Sequence, residues 1–218
     1  MGELQFIENI ARLSLLLPII LFFSQKKRKK ELWVIHYYLL FSVLRQIFIQ
    51  ILSKSQPDIV DILGQLNPLT NFLFISAFFY FANENNIDKR FIRIILILYV
   101  PTQFIQFLYP LTQASLSIIS TINTLLILGL CLIYFYNQLK NPDITFIYLH
   151  PAFWVTSAFF LFSAGTFFVF WYNLIYKYDD TFTYQYVYIH AIIFLIRNII
   201  FSIAFLIKPY KEQAVEYS

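Results

Sequence analysis

The sequence predicts an all-α polytopic membrane protein with seven transmembrane helices, the N-terminus outside and the C-terminus inside. Three observations predict it. Of 218 residues, 59% are hydrophobic and only 13% charged, with a mean hydropathy of +0.65, whereas a soluble domain carries about a quarter charged residues. Apolar stretches of membrane-spanning length recur along the chain, separated by short polar loops. Finally, five consecutive basic residues, Lys26 to Lys30, stand between the first two stretches, and cations of that density stay on the cytoplasmic side of a membrane.

The spans are expected at about 4–23, 32–52, 59–82, 91–109, 116–136, 146–172 and 187–207 of a single domain covering residues 1–218. In the first, Glu3 and Glu8 precede the apolar part and the basic run follows it. A cleaved signal peptide has the opposite order, so this span is an uncleaved helix running outside to inside. The third span contains Asn67-Pro68, which is expected to bend it. Starting that span at Leu69 instead would leave it short of the ~20 residues needed to cross. The loops agree with the orientation. Lys89, Arg90, Arg93, Lys140, Lys208 and Lys211 join the basic run on the inner side, while the outer side receives Lys54 and Lys177 beside Asp58, Asp61, Asp179 and Asp180. Cytoplasmic loops are enriched in Lys and Arg in this way.

Polar groups inside the spans mark the candidate site. At ~1.5 Å rise per residue, Arg12 lies roughly 16 Å and Arg197 roughly 15 Å from the inner ends of their spans, and Arg45 roughly 20 Å along the second. A charge at the centre of a membrane helix costs at least ~2.5 kcal/mol on insertion scales, so each should face the bundle interior with a partner. Glu8 stands four residues before Arg12 and Asp61 opens the third span; both are candidate charge partners. Ser42, Gln46 and Gln50 repeat at intervals of four beside Arg45. Gln65, Asn67 and Asn71 follow Asp61, Gln103 and Gln106 lie in the outer half of the fourth span, and Ser117, Ser120 and Asn123 in that of the fifth. His190 stands above Arg197-Asn198. Hydrocarbon cannot satisfy these groups. The pattern reads as an outward-facing polar cavity with a cationic floor, its ligand-binding candidates being Arg12, Arg45, Gln46, Asn71, Gln103, Asn123, Arg197 and Asn198. The alternative is that the arginines fix helix register as structural ion pairs.

Several chemistries are not expected. The single cysteine, Cys131, forms no intramolecular disulfide and no cysteine-based metal site. His36, His150 and His190 make no H-x-x-x-H or H-E-x-x-H pairing, so neither a metal nor a catalytic constellation is expected, and no cofactor is expected. His36 and His150 lie near the inner surface, where a bis-histidine haem is the alternative to interfacial packing. The cations sit in short loops, which is not the footprint of a nucleic-acid binder. Ser163-Ala164-Gly165-Thr166 is a small-residue patch where another helix can approach closely, and aromatic runs such as Phe159-Phe160 and Phe167-Phe168 read as lipid contact and core. No lysine lies within a span, which excludes a retinal Schiff base.

Two resemblances follow. Ile35-His36-Tyr37 in the second span parallels Leu149-His150-Pro151 in the sixth, and Asn71-Phe72-Leu73-Phe74-Ile75-Ser76-Ala77-Phe78 parallels Asn198-Ile199-Ile200-Phe201-Ser202-Ile203-Ala204-Phe205. This resembles the three-plus-one-plus-three plan of SWEET- and PnuC-type transporters, although their Pro-Gln motif and paired tryptophans are absent. Through Asn141-Pro142 to Trp154 and the Arg197-Asn198 helix, the chain also resembles small bacterial seven-helix proteins and input modules associated with sensor histidine kinases. That second resemblance implies a module of the bacterial cytoplasmic membrane. With the cationic cavity and no catalytic constellation, the expectation is a non-enzymatic, receptor-like module that binds a small anionic or amphipathic ligand and signals to a cytoplasmic protein or a second copy. The first implies a small-solute transporter. Membrane lipid is the common partner in both.

Overall fold

The computed structural model describes residues 2–24, 29–53, 55–83, 85–108, 113–140, 147–175 and 180–207. Lys26 to Arg28, Lys54, Asn141-Pro142, Lys177, Asp179, Lys208 and Lys211 lie outside them, as do the side chains of Glu3, Asp58, Gln106 and Ser117. The described residues are helical throughout apart from short connections, with no strand among them: α1 Gly2–Leu13, α2 Leu16–Phe22, α3 Lys30–Leu52, α4 Pro57–Ala82, α5 Asn86–Leu108, α6 Gln113–Lys140, α7 Pro151–Ile175 and α8 Asp180–Leu206. Five of these, α3, α4, α6, α7 and α8, are long and apolar enough to cross a membrane. The described residues are therefore all-helical, and these five helices are compatible with an integral membrane protein.

Three boundaries differ from the sequence expectation, each for a local reason. The first span is two helices, not one. Pro18 has no N–H to donate, and its ring crowds the carbonyl four residues back, at Ser14. The chain tightens there: the Leu15 amide bonds the Arg12 carbonyl at 3.2 Å and the Leu17 amide bonds the Ser14 carbonyl at 3.3 Å. The helix that carries the expected fourth span begins at Asn86, so Lys89 and Arg90 belong to the helix and not to a loop. Asn85 caps it, its side-chain oxygen accepting from the Ile87 amide at 3.0 Å, as an N-terminal cap should. In the sixth span, residues Ile147–Leu149 form a separate 3₁₀ turn and the α-helix starts at Pro151. Proline suits the first helical position and disfavours helical backbone in His150 before it. Trp154 donates its indole N–H back to the Tyr148 carbonyl at 2.7 Å across this corner. The helix that carries the expected third span, by contrast, runs through Pro68 as one element from Pro57, with Ile59–Ala82 its apolar stretch of membrane length.

Contacts group the helices into two compact units, residues 1–28 with 113–218, and residues 29–112. In the second, α4 packs against both α3 and α5. Phe74 meets Tyr38 and Phe41 of α3, with ring centroids 5.9 and 5.8 Å away, and Phe72 meets Tyr99 of α5 at 4.3 Å.

In the first unit, α7 packs between α6 and α8, and both α1 and α2 pack on α8. Ala11, Leu15, Pro18 and Phe22 recur at three- and four-residue spacing and are buried. Phe22 meets Phe205 edge-on at 5.3 Å, and Phe159 of α7 meets Phe201 at 5.2 Å. The small-residue patch serves the α7–α8 contact, because a Cβ added at Gly165 would run into the side chain of Ile193.

Candidate functional site

The site is centred on α8. Arg197 and Asn198 are 2% and 0% exposed in the middle of an apolar helix of membrane-spanning length. The guanidinium carbon lies 4.2 Å from the ring centre of Phe194, 4.5 Å from that of Phe162 and 5.6 Å from that of Phe201. Two of these rings come from α8 itself, three residues before and four after the arginine, which puts them on its own face. Phe162 reaches in from α7. A cation desolvated over aromatic faces gains ~2 kcal/mol or more from the ring quadrupoles, which offsets part of the cost of keeping charge inside a membrane helix.

Asn198 joins this cage to the break between α1 and α2. Its carboxamide oxygen accepts from Arg197 at 3.4 Å, and its N–H donates to the Ser14 hydroxyl at 2.7 Å. Ser14 in turn donates to the Ala11 carbonyl at 2.6 Å, and the Ser202 hydroxyl donates to the Asn198 carbonyl at 2.8 Å. A polar chain thus runs from the α8 cation to the kink that Pro18 creates. One turn before Phe194, His190 stacks at 6.3 Å from it and at 6.1 Å from Tyr186, extending the aromatic column along α8.

Hydrogen bonds between helices in a membrane average ~0.6 kcal/mol and reach ~1.7. Ser14 and Asn198 should couple near the upper end, because each orients a further polar group. A cycle of Ser14→Ala, Asn198→Ala and the double variant, read by unfolding in detergent, measures this. Additive single losses would mean that the two side chains act independently.

Of the sequence-predicted site residues, Glu8, Arg12, Asn123, Arg197 and Asn198 lie in the first unit, and Arg45, Gln46, Asp61, Asn71 and Gln103 in the second. Glu8 and Arg12 form the expected ion pair at 3.8 Å, but their side chains are 35% and 45% exposed, so Arg12 stands off the packed stripe and not in an enclosed interior. Asn123 is buried on α6, and its carboxamide oxygen has no hydrogen-bond partner among the described residues. In the second unit Gln103 is buried, Arg45, Gln46 and Asn71 are half-buried, and Asp61 is exposed.

The polar residues separate into two kinds. Buried hydroxyls satisfy themselves on their own helix: Ser42 donates to the Tyr38 carbonyl, Thr156 to that of Ala152 and Thr166 to that of Phe162, each at 2.8 Å. Such groups cost little to bury and say little about a ligand. The oxygens of Asn67, Ser76, Tyr99 and Asn123 are buried without a hydrogen-bond partner among the described residues, and a buried polar atom left so is expensive. Asn67, Ser76 and Tyr99 belong to the α4–α5 pair, and Ser76 and Tyr99 were not among the sequence candidates. No group of three or more potential metal-ligating side chains occurs among the described residues. Compared with known proteins, the chain matches no family model, no curated protein and no solved structure.

Proposed function

We propose that this protein is a sensor module of the bacterial cytoplasmic membrane, which binds a small anionic or amphipathic molecule from the outer side and signals through a cytoplasmic partner. Seven spans carry it, α1 with α2 forming one broken span and α5 the fourth, with the N-terminus outside and the C-terminus inside. The observation that supports this reading best is the buried Arg197 cage. A charged residue placed mid-span is retained against a continuing energetic cost, and in membrane helices such residues mark functional sites by default. The polar chain through Asn198 to Ser14 supplies a route by which occupancy near Arg197 would bias the kink between α1 and α2. A kink is a junction that can hold two arrangements, as a switching element must.

A transporter built on the three-plus-one-plus-three plan is the other reading. It would move a small solute through the same polar residues, and uptake of solute into vesicles holding the purified protein would separate it from the sensor.

The test uses the purified protein in lipid nanodiscs and a panel of small carboxylates, phosphates and their neutral isosteres. At least one anion should raise the unfolding temperature of the wild type, since a ligand at a hundred times its Kd stabilises by ~2.7 kcal/mol. The same anion should leave Arg197→Met unmoved. Equal shifts with neutral isosteres, or a full shift in the variant, would refute an anion site at Arg197.

A further inference from the structure

α5 carries a feature that the sensor reading leaves unused. Arg90, Arg93, Ile97, Pro101 and Phe104 follow one another at spacings of three and four, so they share one face of the helix. All five are exposed, Ile97 at 70% and Phe104 at 58%, and the flanking Ile94 and Leu98 are 46% and 66% exposed. The opposite face, with Ile92, Tyr99 and Gln103, is buried. One exposed face therefore begins with two cations and continues as an uninterrupted apolar stripe.

Among the described residues, neither Arg90 nor Arg93 has a carboxylate within ion-pair distance. Arg93 instead folds back along the helix, its Nε donating to the Lys89 carbonyl at 3.4 Å. Lys89 lies over the Tyr80 ring at 5.7 Å. From Arg93 to Phe104 the stripe is about 16 Å long at 1.5 Å per residue, close to the half-thickness of a ~30 Å hydrocarbon core. The dimensions are those of one lipid molecule in one leaflet.

We infer that this face of α5 is a binding site for an anionic phospholipid, with its phosphate held by Arg90 and Arg93 and an acyl chain lying along Ile94, Ile97, Pro101 and Phe104. Two guanidinium groups suit a phosphate because each can donate two parallel N–H bonds to its oxygens. An apolar stripe without cations would accept any lipid; cations without the stripe would hold free phosphate equally well. The combination selects an anionic lipid. The inference rests on α5 being a span, but not on Arg197, on any soluble ligand, or on which leaflet the site faces.

The experiment is native mass spectrometry of the full chain released from nanodiscs of phosphatidylcholine mixed equally with phosphatidylglycerol of the same acyl chains. Wild-type protein should retain phosphatidylglycerol preferentially. A cation near an anionic membrane surface contributes roughly fivefold in affinity, so Arg90→Gln with Arg93→Gln should reduce the preference by roughly thirtyfold. Arg90→Lys with Arg93→Lys should retain most of it, and Ile97→Ser with Phe104→Ser should lower total lipid retention without changing the preference. Unfolding in pure phosphatidylcholine discs checks that the variants fold. Wild type without a headgroup preference, or a preference intact in the double Gln variant, overturns the site. Displacement of the lipid by inorganic phosphate alone also overturns it, since the stripe would then contribute nothing. A protein that retains no phosphatidylglycerol but binds an acidic polypeptide would assign the two arginines to a protein partner and reject the lipid.

Discussion

Replacing Arg197 with alanine should lower the stability of the folded protein by about 2–5 kcal/mol, whereas replacing it with methionine should change it by less than ~1.5 kcal/mol. The two substitutions remove the same charge but differ in what they leave behind. Alanine opens a cavity between Phe162, Phe194 and Phe201, which pack around the guanidinium at 4.2 to 5.6 Å. Methionine fills most of that volume, and its sulfur makes favourable contacts with ring edges. Removing the charge also recovers at least ~2.5 kcal/mol of the cost of holding an arginine at the centre of a membrane helix, against a loss of ~2 kcal/mol or more of cation–π attraction. These two terms nearly cancel, so volume decides. Thermal or denaturant unfolding in detergent or nanodiscs reads both variants. If methionine proves as damaging as alanine, the positive charge itself holds α7 and α8 together, and the structural reading of Arg197 wins over ligand binding. A stable methionine variant would mean that the charge is kept for some purpose other than folding.

Much of the helix pattern was legible because it depends on local composition. The third span, expected at about 59–82, coincides with the membrane-length stretch Ile59–Ala82. The break in the first span was less legible, although its cause stands in the sequence. Pro18, Pro68 and Pro101 look alike as residues, yet α4 and α5 continue through theirs while the first span divides. Ser14, whose carbonyl Pro18 crowds, is also where Asn198 donates its hydrogen bond from 184 residues away in the chain. A sequence window cannot contain that interaction. The Arg197 cage was legible in part. Phe194 and Phe201 are at the spacing that places them on the arginine's face, but Phe162 belongs to a different helix, and only packing brings it there. The polar residues inside the spans look alike in the sequence. Their hydrogen bonds separate them, because the hydroxyls of Ser42, Thr156 and Thr166 are satisfied within their own helices, so the asparagine, glutamine and tyrosine side chains carry more information than serine and threonine.

Changing Lys26 to Lys30 to neutral residues should convert a single orientation in the membrane into a mixture. In the wild type, a reporter fused after Ser218 should be cytoplasmic and one inserted at Asp179-Asp180 external, because the five basic residues after the first span hold that loop inside. Without them the remaining cations still favour the same side: Lys89, Arg90, Arg93, Lys140, Lys208 and Lys211 oppose only Lys54 and Lys177. Full inversion is therefore not expected. The first span, however, loses the signal next to it and carries Glu8 and Arg12 as a pair, so nothing else in it strongly sets its direction. A fraction of molecules should place the first span the other way or leave it uninserted. The C-terminal reporter should mostly stay inside where the later loops dominate, and accessibility labelling of a cysteine placed at Gly2 should report both sides. Two wild-type reporters on one side would mean an even number of spans between them, which removes the seven-span arrangement. An unchanged single orientation in the neutralised variant would show instead that the loops around α5 and after α6 set the topology, and that Lys26 to Lys30 serve another purpose.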